Sequence, residues 1–123
     1  VPWHLATKEF VDEIARVLRP GGLYVVNVID GGPEDFLRAE AATTATALPY
    51  VHVVRSQGVL DGLIANSVMV ASDEPLDVAA WDERRTAVGD TGGLVDDMAA
   101  YTDGALVLTD DFAPVDQLIS GLR

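Results

Sequence analysis

Apolar and polar residues along this chain follow two different periods, and the switches between them mark its elements. Phe10, Val11, Ile14, Val17 and Leu18 fall on one helical face, with Lys8, Asp12, Glu13 and Arg16 on the other. This pattern predicts an amphipathic helix from a Thr7 N-cap to about Arg19. Pro20-Gly21-Gly22 stops that helix and turns the backbone. Leu23 to Ile29 is then almost unbroken in its apolar character. Such a run predicts a strand buried on both faces, as in a parallel sheet covered by helices. The rest of the chain is organised around this unit.

Pro33 suits a first helical position, and Glu34 and Asp35 place acids in the first turn. A second helix is expected from there through Phe36, Leu37, Ala41, Thr44 and Leu48, ending at Pro49. Tyr50 to Arg55 reads as a strand, so the order strand, helix, strand implies a right-handed crossover between parallel strands. Ser56 to Asn66 is a glycine-punctuated connection, too short for a helical crossover. Ser67 to Ser72 should therefore return as an antiparallel hairpin strand. Beyond it, Asp77 is expected to cap a helix to about Ala87, followed by a loop over Val88 to Gly93. A short helix over Leu94 to Tyr101 comes next, then an apolar stretch over Ala105 to Thr109. Pro114 opens a terminal helix through Val115, Leu118, Ile119 and Leu122.

With 123 residues, 49% of them hydrophobic, the chain suits one globular α/β domain. Its net charge of -12 and its 8 scattered Lys and Arg residues argue against a nucleic-acid or anionic-membrane partner. That field suits a cationic substrate such as a polyamine. The absence of cysteine excludes disulfides, thiolate catalysis and Cys-based zinc sites. His4 and His52 show no metal-binding spacing. No apolar run of membrane-spanning length and no leader is visible, so a cytoplasmic location is expected.

Few residues carry candidate chemistry. Gly21-Gly22 lies at the amino end of its strand, the wrong end for a phosphate loop. Gly31-Gly32-Pro33 has the right polarity but lacks the G-x-G-x-x-G spacing. Asn27 stands in an apolar strand near the carboxyl edge, where open α/β sheets bind ligands. Its amide either bonds neighbouring backbone or faces a ligand. Trp3 and His4 precede a helix start on that same edge and either line a pocket or pack on the core. Asp110 and Asp111 either bind an amine or base, or cap the terminal helix. Asp96 and Asp97 read as a solvated face.

The segment VPWHLATKEFVDEIARVLRPGGLYVVNVID, a hairpin ending in NSVMVAS, and VLTDDFAPVDQL together resemble the C-terminal half of spermidine synthase-like proteins. These belong to the class I S-adenosylmethionine methyltransferase-like superfamily. The L-x-T-x-E-F start (Leu5, Thr7, Glu9, Phe10), the L-x-P-G-G turn (Leu18 to Gly22) and the T-D-D-x-A-P segment (Thr109 to Pro114) carry the resemblance. It implies a partial Rossmann-like fold whose three strands are the fifth, sixth and seventh of a seven-stranded sheet. The seventh lies antiparallel between the other two. The family's glycine-rich loop, ribose-binding acid and catalytic aspartate would all precede Val1. Asn27 stands where aminopropyltransferases tend to carry a substrate-touching glutamine, and SQGVLDG (Ser56 to Gly62) replaces the family's P-T-Y-P-S-G-like segment.

Three readings follow from the resemblance. The first is an aminopropyltransferase-type domain acting on a polyamine with decarboxylated S-adenosylmethionine, to which Asn27, Trp3, His4, Asp110 and Asp111 contribute the amine-side wall. The second is a methyltransferase using S-adenosylmethionine, and the third a non-catalytic interaction module. This chain by itself is expected to bind no cofactor. The exposed edge of the strand at Leu23 to Ile29 is expected to pair with a second copy or with the missing half.

Overall fold

In the computed structural model, which describes residues 2–120, helices pack mainly on one face of a four-stranded sheet. A short 3₁₀ turn at Trp3–Leu5 leads into α1 (Lys8–Val17), and the chain continues through β1 (Tyr24–Asp30), α2 (Asp35–Ala45) and β2 (Tyr50–Arg55). Then come α3 (Gln57–Leu60), β3 (Ala65–Ser72), α4 (Val78–Ala87), β4 (Gly93–Leu94), α5 (Met98–Thr102) and α6 (Val115–Ser120).

The sheet order is β1-β3-β2-β4, and every paired neighbour is antiparallel. β1 and β2 therefore run parallel to each other with β3 between them. Val25 lies opposite Val70, and Val54 lies opposite Val68. This is the inserted antiparallel strand that the resemblance implies. Among the described residues, the free edge of β1 borders no other strand.

Helix starts follow local chemistry closely. The Thr7 hydroxyl accepts from the Phe10 amide at the head of α1, and Asp77 accepts from Ala80 at the head of α4. Gly21 takes the left-handed conformation that closes the turn after α1 (φ 75°), a conformation that L side chains rarely adopt. β2 keeps its expected bounds.

The structure corrects four expectations. β1 is not covered on both faces: Tyr24, Val26, Val28 and Asp30 turn toward the helices, while Val25 and Ile29 are 58% and 61% exposed. An apolar sequence permits cover on both faces, but only one face of β1 is closely packed by helices; the other meets Trp81 of α4 across an open pocket. Pro33 does not open α2. Glu34 intervenes in a left-handed conformation (φ 57°), and the helix starts at Asp35. The expected helix over Leu94 to Tyr101 is split, because Gly93–Leu94 pairs with β2 before Asp97 caps a shorter α5. Asp97 caps α5 while staying exposed, as Asp96 does, so both acids lie on the expected solvated face. The Ser56 to Asn66 connection also contains a turn of helix, α3, capped by Ser56. In the terminal helix, Leu122 lies outside the described residues.

The core lies between the covered face of the sheet and α1, α2, α5 and α6, around Phe36, Leu37, Val53, Met69 and Leu108. Buried polar groups are tied into it. The Thr43 hydroxyl donates to the Ala39 carbonyl and accepts from the Leu108 amide at 2.9 Å, which anchors the segment before α6.

Candidate functional site

The cleft of interest is built from the two ends of the chain. Thr7 not only caps α1 but donates its hydroxyl proton to Asp110 Oδ1 at 2.7 Å. The Asp110 amide donates to Glu9 Oε2, and the Lys8 amide donates to the Leu108 carbonyl. These bonds clamp the segment 108–112 onto the start of α1. Thr109 and Phe112 close a tight bridge, and this turn presents Asp111 and Phe112 beside the 3₁₀ turn that carries Trp3. The result is an open cleft of about 500 Å³, lined by Trp3, Asp111, Phe112, Pro114, Asp116 and Gln117 among others.

The cleft pairs aromatic faces with carboxylates. Trp3 is 48% exposed and Phe112 57% exposed, so both rings remain available to a ligand. Among the described residues, Asp111 and Asp116 carry no basic partner at this surface. Rings beside uncompensated acids suit an alkylammonium group, through cation–π attraction and charge-assisted hydrogen bonds.

The structure brings together only part of the expected site. Trp3 and Asp111 share the cleft. His4 lies beside it with its ring edge-on to Trp3 at 5.7 Å between centroids, where it braces the indole. Asp110 is engaged by Thr7 and serves as a clamp. Asn27 lies elsewhere, on the exposed face of β1 and at a separate small cavity with Leu5 and Glu40.

Sequence reasoning missed two groups of residues. Glu34, Arg55 and Tyr101 meet at the carboxyl ends of β1 and β2. The Tyr101 hydroxyl donates to Glu34 Oε1 at 3.0 Å, Arg55 pairs with Glu34 Oε2 at 3.4 Å, and Arg38 Nε donates to the Tyr101 carbonyl. Burial, reinforced by Glu34, pushes the Tyr101 phenol well above its usual range. Both Glu34 oxygens are occupied, so this network braces the left-handed turn into α2. The second omission is Glu40, whose side chain is buried on α2 with Oε1 lacking a hydrogen-bond partner among the described residues. Its signal was present in the sequence, since Glu40 stands four residues from Phe36 and from Thr44 on the same helical face.

The cofactor side is a different matter. Gly31-Gly32 follows the carboxyl end of β1, but a Cβ on Gly31 would stand 2.5 Å from the Leu63 carbonyl oxygen. The turn is packed against the β2–β3 connection rather than open to a ligand.

Comparison with known structures bears on the whole arrangement. The crystal structure of a probable spermidine synthase from Corynebacterium glutamicum ATCC 13032 matches this chain with a TM-score of 0.78 and 24% sequence identity. The match covers 89% of this chain. The chain carries part of a spermidine synthase fold. It spans 43% of that protein's length, so it corresponds to less than half of the neighbour. No family model matches the sequence, and no curated protein matches it. The spermidine synthase fold is class I methyltransferase-like, and this chain's sheet accords with a partial Rossmann-like architecture. Among the described residues, no helix is long and apolar enough to cross a membrane.

Proposed function

We propose that this chain supplies the amine-side wall of an aminopropyltransferase-type site of the spermidine synthase kind. The observation that carries the reading is the cleft itself, where Trp3 and Phe112 stand beside Asp111 and Asp116 in a chain of net charge -12. A linear amine fits this chemistry: its methylenes lie on the rings and its ammonium groups meet the carboxylates. In the complete reaction the amine nitrogen is the nucleophile toward decarboxylated S-adenosylmethionine. This chain's residues bear on the amine alone, holding and orienting it.

Calorimetry on the intact chain tests this. A linear diamine or triamine should bind, and Asp111→Asn should weaken it about tenfold, in line with the 1–2 kcal/mol of a charge-assisted contact. Trp3→Ala should do the same. Unchanged affinity in both variants would overturn the assignment. S-adenosylmethionine and its decarboxylated form should show no binding to the chain, and micromolar affinity for either would contradict the half-site reading.

The free edge of β1 supports a further part of the proposal. β1 carries no Lys, Glu or Pro, its one charge (Asp30) sits at its very end, and it exposes Val25 and Ile29, so most of its edge lacks the devices that keep edge strands apart. The isolated chain should pair through this edge with a second copy. Light scattering should then report a dimer that Val25→Lys shifts toward monomer; a wild-type monomer at high concentration would count against it.

A further inference from the structure

Two apolar patches stand exposed at opposite ends of β1. At its start, Leu23 and Val25 are more than half exposed and form one wall of a groove of about 400 Å³, opposite Leu76 and Trp81. At its end, Ile29 is equally open, and so are Leu63 and Ile64, whose backbone packs against Gly31. Midway between the patches, on the same face, is Asn27. Its exposed amide has no hydrogen-bond partner among the described residues.

We propose that a second copy of this chain docks along β1 about a two-fold axis through Asn27, so that Asn27 sets the register of the pair. The inference rests on the edge pairing proposed above and supplies its geometry. Two copies of one edge strand related by a two-fold axis run antiparallel, and residues equally far from the axis on either side face each other. Only an axis at residue 27 engages the whole of Tyr24–Asp30, because 27 is its midpoint. Val25 then faces Ile29 on the exposed face, and Val26 faces Val28 on the covered one. Apolar meets apolar on both faces. The two Asn27 amides meet at the axis, where each offers the other a donor and an acceptor.

Every neighbouring register breaks this match. Moving the axis by one residue sets Asn27 against Val25 or Ile29, and moving it by two sets it against Leu23 or Gly31. Each shift leaves the amide opposite a group that cannot answer it, inside a closing interface. A single asparagine fixes the register of coiled coils by the same logic.

Any strand can bond to a free edge, but the order of apolar and amide side chains about Asn27 is matched by the same strand read backwards. That singles out a second copy. Area argues the same way. A stable interface buries about 800 Å² per partner. The seven residues of β1 offer an edge roughly 23 Å long and about 10 Å deep, well short of that. The two-fold operation also sets Gly31 of one copy opposite Leu23 of the other. It thereby brings Leu63 and Ile64 toward the groove and joins the two exposed patches into one.

The chain has no cysteine, so single replacements in the intact chain read the register without background. Under mild oxidation, Asn27→Cys should form a disulfide-linked dimer. Val25→Cys and Ile29→Cys should each stay unlinked alone, because equivalent positions lie about 13 Å apart along the strands, but should link to each other when mixed. Asn27→Asp sets two carboxylates face to face and should weaken the dimer about fivefold at pH 7 by light scattering. Asn66→Asp, on β3 away from the edge, should leave it unchanged. A wild-type monomer would overturn the edge pairing and this register together. A wild-type dimer in which Val25→Cys or Ile29→Cys links to itself instead of Asn27→Cys would overturn the register alone. A dimer in which none of the three links would give the edge to another occupant, and one indifferent to Asn27→Asp would remove Asn27 from the axis.

Discussion

Raising the pH from 4.5 to 8 should cost this fold several kcal/mol through Glu40 alone. Burial lifts its carboxyl from an ordinary 4.5 to about 8 in the folded chain. Between those values the folded state holds a proton that the unfolded chain has already released. By linkage, stability then falls as pH rises, at about 1.4 kcal/mol per pH unit. The contribution is whole below 4.5 and is lost as pH climbs through 8. Over the full window it approaches roughly 5 kcal/mol, a large share of the stability of a small domain. Urea unfolding of the wild type and of Glu40→Gln across this range isolates the effect, because the chain's other acids are common to both. The variant should gain on the wild type steadily with pH. Parallel profiles would show that Glu40 ionises freely in the folded chain.

Replacing Asp30 should be the most damaging change at the junction between sheet and site. Asp30 closes β1, is fully buried, and uses both carboxylate oxygens on backbone amides. Oδ1 accepts from Gly31 at 2.9 Å and Oδ2 accepts from Leu37 at 2.8 Å. Asp30→Ala leaves both amides buried without acceptors, at about 1–3 kcal/mol each, for a loss of about 2–6 kcal/mol. Asp30→Asn keeps one carbonyl acceptor and should recover about half of it. Denaturant midpoints at constant slope measure this directly. The consequence reaches beyond β1 because the Leu37 bond fixes the first turn of α2, the helix that carries Phe36 into the core. A loss below about 1 kcal/mol for Asp30→Ala would mean that the turn finds other acceptors.

How much was legible depended on the range of the controlling interactions. The Thr7 and Asp77 caps, the Pro20-Gly21-Gly22 turn and the bounds of β2 arise from neighbours within a few positions, and each reads directly from the residues. The two backbone bonds of Asp30 depend on how Gly31 to Leu37 folds back over it. Glu34 was read as a helix-starting acid. The brace from Arg55 and Tyr101, 21 and 67 residues away, holds it in a left-handed turn instead. Sequence reading identified Trp3 and Asp111 as candidates separately. Only the clamp between Thr7 and Asp110, across 103 residues, sets them side by side.

The stretch from Leu18 to Asp30 shows the division most plainly. By itself the sequence determined that a helix stops, a glycine turn follows and an extended apolar strand begins, because those outcomes depend on backbone sterics and side-chain period. It could not determine what lies on each side of that strand. Cover is a property of the partners: β3 takes one edge of β1 and α2 packs on one face, while the other face meets Leu76 and Trp81 across an open pocket and leaves Val25 and Ile29 exposed. Burial of Glu40, exposure of Val25 and the meeting of the two chain ends were all decided at that level. They depend on what packs opposite each residue, which no local pattern encodes.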